Sequence, residues 1–326
     1  MQTLYPFKFT PLFKEKIWGG DKIKTQLGMD FGTLPNCGEA WLLSGVEGNP
    51  SLVSNGYLAG NELNELVEVF MGDLTGEKVY ERFGDQFPIL VKAIDSNDWL
   101  SLQVHPDDEL AQKRGIGFGK TEMWYVMQAD EGAQLISGFN QKVSPEQYLR
   151  HLENKSIKEV MNFEQVKKGD VFFIPAGRVH ALGPGTLIAE IQQTSDITYR
   201  IYDWDRTDEN GKGRELHIEE AMEAIDYSVL PNYKTPYHLV ESHSENLVRT
   251  PFFTTNILNI NQKTEKDYSD LDSFVILFCT EGECTVVSHD LQLSLKPGEI
   301  ILIPNLIENI SLIPSKNTTL LEVYIE

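Results

Sequence analysis

The sequence predicts a mainly β protein made of two jelly-roll barrels, with helical insertions in its N-terminal part. Short apolar runs bounded by glycine, proline or aspartate recur along the chain, and such runs are typical of antiparallel strands joined by short turns. A strand motif that appears twice indicates that one structural unit is repeated. A chain of 326 residues with 41% hydrophobic content can bury a sizeable core and form two domains.

Helical insertions are predicted by apolar spacing and by capping residues. Leu63, Leu66, Val67 and Phe70 recur at the spacing of one helix face, which predicts a helix over 61–70. A serine cap followed by proline opens a second helix at 144–146, and 216–227 predicts a third. We expect insertions at about 50–86, 144–162 and 215–228. The strands predicted around them are 99–104, 123–128, 133–137, 170–174 and 187–192.

The repeated motif is KGDVFFIP at 168–175 and KPGEIILIP at 296–304. Both copies have a glycine, an acid, four apolar residues and a proline in the same order. In that register His180 corresponds to Asn309, and 274–281 parallels 124–131 without a histidine. We therefore expect a domain at 1–232 that carries the site and a metal-free barrel at 233–326. The alternative is that the repeat is a generic strand-turn-strand pattern.

Charge and cysteine content narrow the functional class. The chain has 28 basic and 49 acidic residues and a formal charge of -21, which argues against nucleic acid or an anionic membrane as a partner. Its three cysteines form no CxxC pair, so a thiolate metal site or a disulfide framework is not expected. No apolar run follows a basic start, and no apolar stretch is long enough to span a membrane. These features predict a soluble protein of the reducing cytoplasm.

A candidate metal site begins at SLQVHPDD, residues 101–108. Side chains alternate along a strand, so Gln103 and His105 point the same way. Glu122 opens another short strand, and His180 lies in a later one. Two imidazoles, a carboxylate and an amide form a ligand set that suits zinc and leaves a position open for water or substrate. On spacing alone, the alternative that both histidines are ordinary strand-end or loop residues stays open.

Further motifs extend this pattern along the first two thirds of the chain. They are WGG at 18–20, GEAW at 38–41, FPILVK at 87–92, LSLQVHPD at 100–107, KTEMW at 120–124, VHA at 179–181 and EIQQTSDITYR at 190–200. Together they resemble type I mannose-6-phosphate isomerase, a zinc enzyme of the cupin superfamily, in its short bacterial form. Together with the repeated motif, the resemblance implies two cupin-type barrels and one zinc ion per chain. It also implies interconversion of mannose 6-phosphate and fructose 6-phosphate through a cis-enediolate.

The acidic ligand has two candidates. Cupins commonly carry a glutamate four residues after the histidine, which would be Glu109, whereas the isomerase resemblance nominates Glu122. Pro106 ends the strand, and 107–111 has the acids that favour a helix N-terminus. Glu109 is therefore expected at the surface, and Glu122 is expected to bind the metal.

The resemblance also implies the residues that act on the substrate. It assigns catalysis to Arg200, with Glu190 and Asp196 on the same wall of the site. It assigns substrate or phosphate binding to Ser101, Lys120, Lys92, Glu39 and Arg206. Longer members have a tyrosine at the position of Leu182 and a lysine at that of Arg206, and a guanidinium changes the geometry of binding there.

Some alternatives remain open at this stage. The proton could be moved by Glu190, Asp196, Lys120 or a zinc-bound water. Without the resemblance, Arg200 would be assigned to a surface ion pair with Asp196. The chain could also be a non-catalytic sugar-binding or regulatory cupin, or an iron oxygenase, in which a histidine usually replaces Gln103. The complete ligand set and Arg200 favour the isomerase.

Overall fold

Antiparallel strands dominate the chain, which confirms the mainly β prediction. The computed structural model describes residues 4–208 and 210–326. The strands are β1 Phe9–Thr10, β2 Leu12–Lys14, β3 Glu39–Leu43, β4 Leu52–Val53, β5 Ile89–Ser96, β6 Leu102–Val104, β7 Glu122–Ala129, β8 Gln134–Phe139, β9 Met161–Gln165, β10 Val171–Ile174, β11 His180–Leu182, β12 Thr186–Gln193, β13 Tyr199–Tyr202, β14 Ser244–Arg249, β15 Thr254–Ile260, β16 Thr264–Asp267, β17 Val275–Ser288, β18 Leu291–Leu295, β19 Ile300–Ile303 and β20 Asn309–Tyr324.

The helices are short and lie between strands. They are α1 Lys22–Thr25, α2 Leu63–Phe70, α3 Gly72–Thr75, α4 Glu77–Phe83, α5 Asp108–Lys113, α6 Pro145–Glu153, α7 Ile218–Ala224 and a 3-10 helix at Ile157–Val160. Within the described residues, no helix is long and apolar enough to cross a membrane.

Local sequence explains where these helices begin. The Ser144 hydroxyl accepts a hydrogen bond from the Gln147 backbone N–H, and the Gln147 side-chain oxygen accepts one from the Ser144 backbone N–H, so α6 begins with a capping box. Asp107 caps α5 in the same way by accepting from the Leu110 amide. Glu109 lies in this first turn and is exposed, as the sequence predicts.

Two large sheets build most of the N-terminal part of the fold, and β1 and β4 form a separate two-stranded sheet. The first has six strands in the order β10-β7-β12-β5-β3-β2, and the second has five in the order β13-β6-β11-β8-β9. The C-terminal sheet follows β14-β15-β20-β17-β18, with β16 on β20 and β19 on β17. The N-terminal pair is the part that positions the site.

The six-stranded sheet is buried on both faces. Along β12, Ala189 and Ile191 belong to an apolar core that also includes Phe274 and Leu302 of the C-terminal sheet. Phe87 and Phe274 bring their ring centroids within 4.6 Å across this contact. Because side chains alternate along a strand, the residues between these core positions point to the opposite face, toward the five-stranded sheet.

The two copies of the repeated motif occupy equivalent places. The first copy contains β10, which pairs with β7, and the second contains β19, which pairs with β17. Ile174 lies opposite Glu122, and its counterpart Ile303 lies opposite Val275. The sequence alignment of 274–281 with 124–131 is therefore wrong by three residues, since Val275 is the counterpart of Glu122. An apolar residue stands where the first unit has its candidate acidic ligand.

Candidate metal centre and active site

Strand pairing places three polar side chains in a row across the five-stranded sheet. Gln103 on β6 lies opposite His180 on β11, and on its other side it lies opposite Arg200 on β13. Residues directly opposite each other in antiparallel strands point to the same face. The sheet therefore presents an amide, an imidazole and a guanidinium side by side, although they are far apart in sequence.

Glu122 on the other sheet meets this row and completes a compact cluster. His105 Nε2 lies 3.5 Å from Glu122 Oε2, and His180 Nε2 lies 3.4 Å from Glu122 Oε1. The donor atoms of these three residues all lie within 4.8 Å of one another. Gln103 Nε2 is 3.2 Å from His180 Nε2. The structure thus brings the four predicted ligands together. Gln103 and His105 come from β6 and the residues after it, Glu122 comes from β7, and His180 comes from β11.

The two imidazoles are held in the form that binds metals. His180 Nδ1 lies 2.7 Å from the Arg178 carbonyl oxygen and donates to it, which leaves the Nε2 lone pair facing Glu122. Burial lowers the pKa of His180 below its ordinary value. Burial also lowers the pKa of His105, and the nearby Lys120 cation adds to that effect. Both rings are therefore neutral near pH 7.

Four polar atoms of this cluster lack hydrogen-bond partners within the described part of the chain. These atoms are both ring nitrogens of His105 and both carboxylate oxygens of Glu122, and neither side chain is more than 1% exposed. Leaving such atoms unpaired in a protein interior costs a few kcal/mol in total, so native structures seldom do so. A divalent cation would satisfy them. A half-turn of the Gln103 amide would direct its oxygen toward the same point, so this donor set fits a metal ion.

A cavity of about 220 Å³ lies beside the cluster and includes Gln103 and Lys120 in its wall. Eight of the predicted site residues line it: Glu39, Lys92, Ser101, Gln103, Lys120, Glu190, Asp196 and Arg200. Sequence reasoning did not single out several others, which are Lys16, Trp18, Ile94, Leu100, Trp41, Trp124, Thr198 and Arg214. Trp18, Trp41 and Trp124 lie inside the WGG, GEAW and KTEMW motifs, so these motifs could have predicted them as site residues. Arg214 lies in none of the motifs.

Arg200 is a half-buried cation with few partners. Its Nη1 donates to the Glu215 carbonyl oxygen at 2.8 Å, while its Nε is buried without a hydrogen bond within the described residues. No ion pair joins it to Asp196 or to another described carboxylate, so the alternative of a surface ion pair is not formed. Burial, and then the neighbouring Arg214 cation, lower the pKa of Arg200. The guanidinium keeps donor capacity for an anion in the cavity.

Comparison with known proteins places this arrangement in a family. Residues 6–136 match the model of the phosphomannose isomerase type I catalytic domain, and residues 243–318 match the model of the mannose-6-phosphate isomerase cupin domain. Mannose-6-phosphate isomerase ManA of Bacillus subtilis is 35% identical over 311 residues, which cover 93% of this chain and 94% of the relative. The mannose-6-phosphate isomerase of Streptococcus mutans is 36% identical over 310 residues, covering 92% and 94%.

The chain belongs to the type I mannose-6-phosphate isomerase family. It is an isomerase. The crystal structure of mannose 6-phosphate isomerase from Bacillus subtilis superimposes with a TM-score of 0.87 at 32% identity, over 98% of this chain and 99% of that one. The apo form of the Salmonella typhimurium enzyme shares the fold, with a TM-score of 0.78 at 17% identity over 98% and 99% of the two chains.

Within this family fold, the first matched domain does not contain the whole site. Gln103, His105 and Glu122 lie inside the matched range 6–136. His180 and Arg200 lie between the two matched ranges. The alignments with full-length relatives span more than nine tenths of the chain, so the family likeness is not restricted to the two domain models.

A charged network forms another wall of the cavity in this isomerase. Lys92 Nζ donates to Glu190 Oε1 at 2.9 Å and to Gln192 Oε1 at 2.7 Å, and Trp124 Nε1 donates to Glu190 Oε2 at 2.9 Å. Burial would lower the pKa of Lys92, but the Glu190 and Glu39 carboxylates outweigh it and raise that pKa. Lys92 is therefore cationic, and both oxygens of Glu190 are already engaged.

Glu39 is held as a carboxylate by its neighbours. Trp41 Nε1 donates to Glu39 Oε2 at 2.7 Å, and Lys16 Nζ lies 3.1 Å from Glu39 Oε1. Burial opposes ionisation, but the Lys92 and Lys16 cations overcome it and lower the pKa of Glu39 to about 2. Such a group accepts hydrogen bonds at neutral pH and is too weak a base to remove a proton from carbon.

Arg206 is placed differently from the other predicted substrate-binding residues, because it is not among the residues that line the cavity. Its Nη2 lies 2.6 Å from Asp203 Oδ1. Arg214 binds the same carboxylate, with Nη2 2.6 Å from Oδ1 and Nε 2.8 Å from Oδ2. Of these two guanidiniums, Arg214 is the one that reaches the cavity wall.

Proposed function

We propose that this isomerase interconverts mannose 6-phosphate and fructose 6-phosphate through a cis-enediolate, with one zinc ion per chain. The observation that carries the proposal is the buried cluster of His105, Glu122 and His180 beside a cavity that also holds Arg200. The ring nitrogens of His105 and the carboxylate oxygens of Glu122 have no hydrogen-bond partner among the described residues. The full-length relatives are mannose-6-phosphate isomerases, and from them we infer the substrate.

Gln103, His105, Glu122 and His180 would hold the metal through two nitrogens and two oxygens, a set typical of zinc sites that keep an open position. When bound, zinc supplies a Lewis acid that polarises the sugar oxygens and stabilises negative charge on them. The chain's own contribution is a neutral imidazole pair, which burial keeps neutral.

Arg200 would stabilise the enediolate. Loss of the C2 proton of open-chain mannose 6-phosphate leaves negative charge that spreads onto oxygen. A fixed guanidinium with unused N–H donors at a half-buried position favours that charge without having to reorganise. Its cross-strand position next to Gln103 directs it to the same end of the cavity as the metal cluster.

Ser101 and Lys120 would bind the phosphate end of the substrate. Lys120 is 5% exposed, and its Nζ lies 3.6 Å from Glu122 Oε2, a longer contact than a hydrogen bond. A buried ammonium without a tight carboxylate partner is suited to a dianionic group. Lys92 and Glu39 are committed to the network of the opposite wall, so we propose that they meet sugar hydroxyls.

Asp196 is the best supported candidate to transfer the proton between C2 and C1. It lines the cavity, and none of its oxygens takes a hydrogen bond from another described residue. Glu190 also faces the cavity, but Lys92 and Trp124 occupy both of its oxygens. We propose that Glu190 fixes these two side chains in position and that Asp196 acts as the base.

We also propose that the fold consists of two cupin-type jelly-roll barrels, divided near residue 232, with the second one metal-free. The repeated motif supports this division, because both copies pair in the same register with their own partner strands. The second unit would cover the outer face of the six-stranded sheet, where the two share an apolar core. Three buried and unpaired cysteines agree with a cytoplasmic enzyme.

A coupled assay with mannose 6-phosphate tests the activity. Purified protein should form fructose 6-phosphate, should lose activity on treatment with a chelator, and should regain it with zinc. The matched comparison is glucose 6-phosphate, which differs at the C2 centre and should react far more slowly. Full activity after complete metal removal would contradict the metal part of the proposal, and no turnover of mannose 6-phosphate by metal-loaded protein would contradict the substrate.

A further inference from the structure

The C-terminal sheet has a carboxylate at the position that corresponds to Glu190. β20 lies between β17 and β15 as β12 lies between β7 and β5. The residue of the first motif copy that lies opposite Trp124 corresponds to the residue of the second copy that lies opposite Leu277. Glu190 lies opposite Trp124, and Glu322 lies opposite Leu277. Glu322 is therefore the counterpart of Glu190.

The surroundings of Glu322 repeat those of Glu190 with different residues. Glu322 is 1% exposed, and its Oε1 lies 2.8 Å from Lys266 Nζ and accepts from the Tyr268 hydroxyl at 2.9 Å. Its Oε2 accepts from the Ser244 hydroxyl. As in the first unit, a lysine and an aromatic donor hold a buried glutamate. Here they come from β16 and the loop after it, and not from the strands on either side of the glutamate.

These groups line a cavity of about 450 Å³, within the usual range for sites of small ligands. Asn256 lies opposite Glu322 on β15, at the position that Lys92 has beside Glu190, and it also faces the cavity. Its Nδ2 donates to the hydroxyl of Tyr324, which lines the same space.

Stability does not account for this polar cavity. Burying the Glu322 carboxylate beside the partly buried Lys266 costs desolvation, and apolar residues of similar size usually serve a core as well or better. Leu320, two residues before Glu322 on the same strand face, belongs to such an apolar core together with Leu258 and Leu277. A polar group of this kind at a cavity wall is more useful for recognition than for packing.

The charges indicate what the cavity can take. Acidic side chains lie around it at Asp267, Asp270 and Glu326, and Lys266 is the one basic residue in its described lining. An added phosphate would meet net negative charge, which disfavours it. Hydroxyl, amide, phenol and carboxylate groups match the alternating donors and acceptors of a polyol.

We propose that the C-terminal sheet binds a neutral polyhydroxylated ligand of monosaccharide size in this cavity, at the place that corresponds to the active site of the first unit. It needs no metal, since Val275 stands at the position of Glu122. Because the cavity differs from the one that contains Arg200, the inference goes beyond the isomerase reaction.

Saturation-transfer NMR on the full chain tests it, with D-mannose, D-fructose and D-glucose at millimolar concentration as probes. At least one neutral sugar should give signals in the wild type and equally in Arg200→Ala. Its affinity should fall about tenfold or more in Asn256→Ala and in Glu322→Gln, equivalent to about 1.4 kcal/mol or more. Asn256→Ala is the milder variant because Asn256 is half-buried, and its isomerase kcat should equal that of the wild type.

Three results would overturn the inference. The first is the absence of signals from all three sugars with the wild type. The second is a signal that Arg200→Ala abolishes and Asn256→Ala keeps, because the sugar would then be in the isomerase cavity. The third is displacement of the neutral sugar by mannose 6-phosphate, which should not enter a cavity surrounded by acids. Circular dichroism of Glu322→Gln checks its folding, and if this variant does not fold, Asn256→Ala decides.

Discussion

Arg200 provides the sharpest test of the proposed chemistry. Its guanidinium donates one hydrogen bond to the Glu215 carbonyl oxygen, and its buried Nε has no hydrogen-bond partner among the described residues. Removing one preorganised donor to a developing oxyanion typically costs about 100- to 1000-fold in rate. Arg200→Ala should therefore lower kcat by about 100-fold or more, equivalent to about 2.7 kcal/mol of transition-state stabilisation, with a smaller change in KM.

Steady-state kinetics at saturating zinc measure this effect, and two further variants interpret it. Arg200→Lys should recover part of the rate, because it restores the charge without the planar fork. Arg150→Ala is the matched control, since Arg150 is an exposed arginine on α6 away from the cavity, and it should leave both constants unchanged. An Arg200→Ala enzyme with wild-type kcat would refute the reasoning and would move stabilisation of the enediolate to another group.

Three more predictions follow from the described contacts. A His105→Ala, His180→Ala double variant should lose its zinc by elemental analysis, because it removes both nitrogen donors of the cluster, and wild-type occupancy would contradict the ligand assignment. Lys120→Ala should raise KM for mannose 6-phosphate and weaken inhibition by inorganic phosphate, with a smaller effect on kcat; a change in kcat alone would argue against phosphate binding. Burial raises the pKa of Asp95 to about 6, and its Oδ1 is buried without a partner within the described residues. Ionisation of Asp95 therefore destabilises the folded chain, so this contribution to stability is most favourable below about pH 4 and is lost as pH rises to about 6. Asp95→Asn should increase the free energy of unfolding at pH 7.5 by at most about 3 kcal/mol and much less at pH 4, and equal melting temperatures of the two proteins at pH 7.5 would contradict this.

The sequence by itself determined the class of structure and most of the candidate site. Local rules were enough for α6, whose start follows from a serine cap and a proline at the first turn. Alternation along 103–105 was enough to predict that Gln103 on β6 and His105 directly after it point to the same side. The choice of Glu122 over Glu109 also depended on local features, because Pro106 and the acids after it predict the start of α5.

Only the tertiary structure decided which distant groups meet. The pairing of β6 with both β11 and β13 puts His180 and Arg200 on either side of Gln103, and no periodicity along the chain contains that information. Arg214 reaches the cavity because Asp203 holds it there, whereas Arg206 binds the same carboxylate and does not line the cavity.

The register of the repeat shows the same limit. Matching the motif copies by sequence left their partner strands misaligned by three residues. The composition of two strands does not specify their register, which only the hydrogen-bond ladder between them fixes. The ladders of the two sheets show that Glu322 is the counterpart of Glu190. Sequence patterns specify which residues form strands and which faces are apolar, since these depend on neighbours along the chain. The meeting of charges from different strands depends on the packing of whole sheets, which is a property of the folded chain.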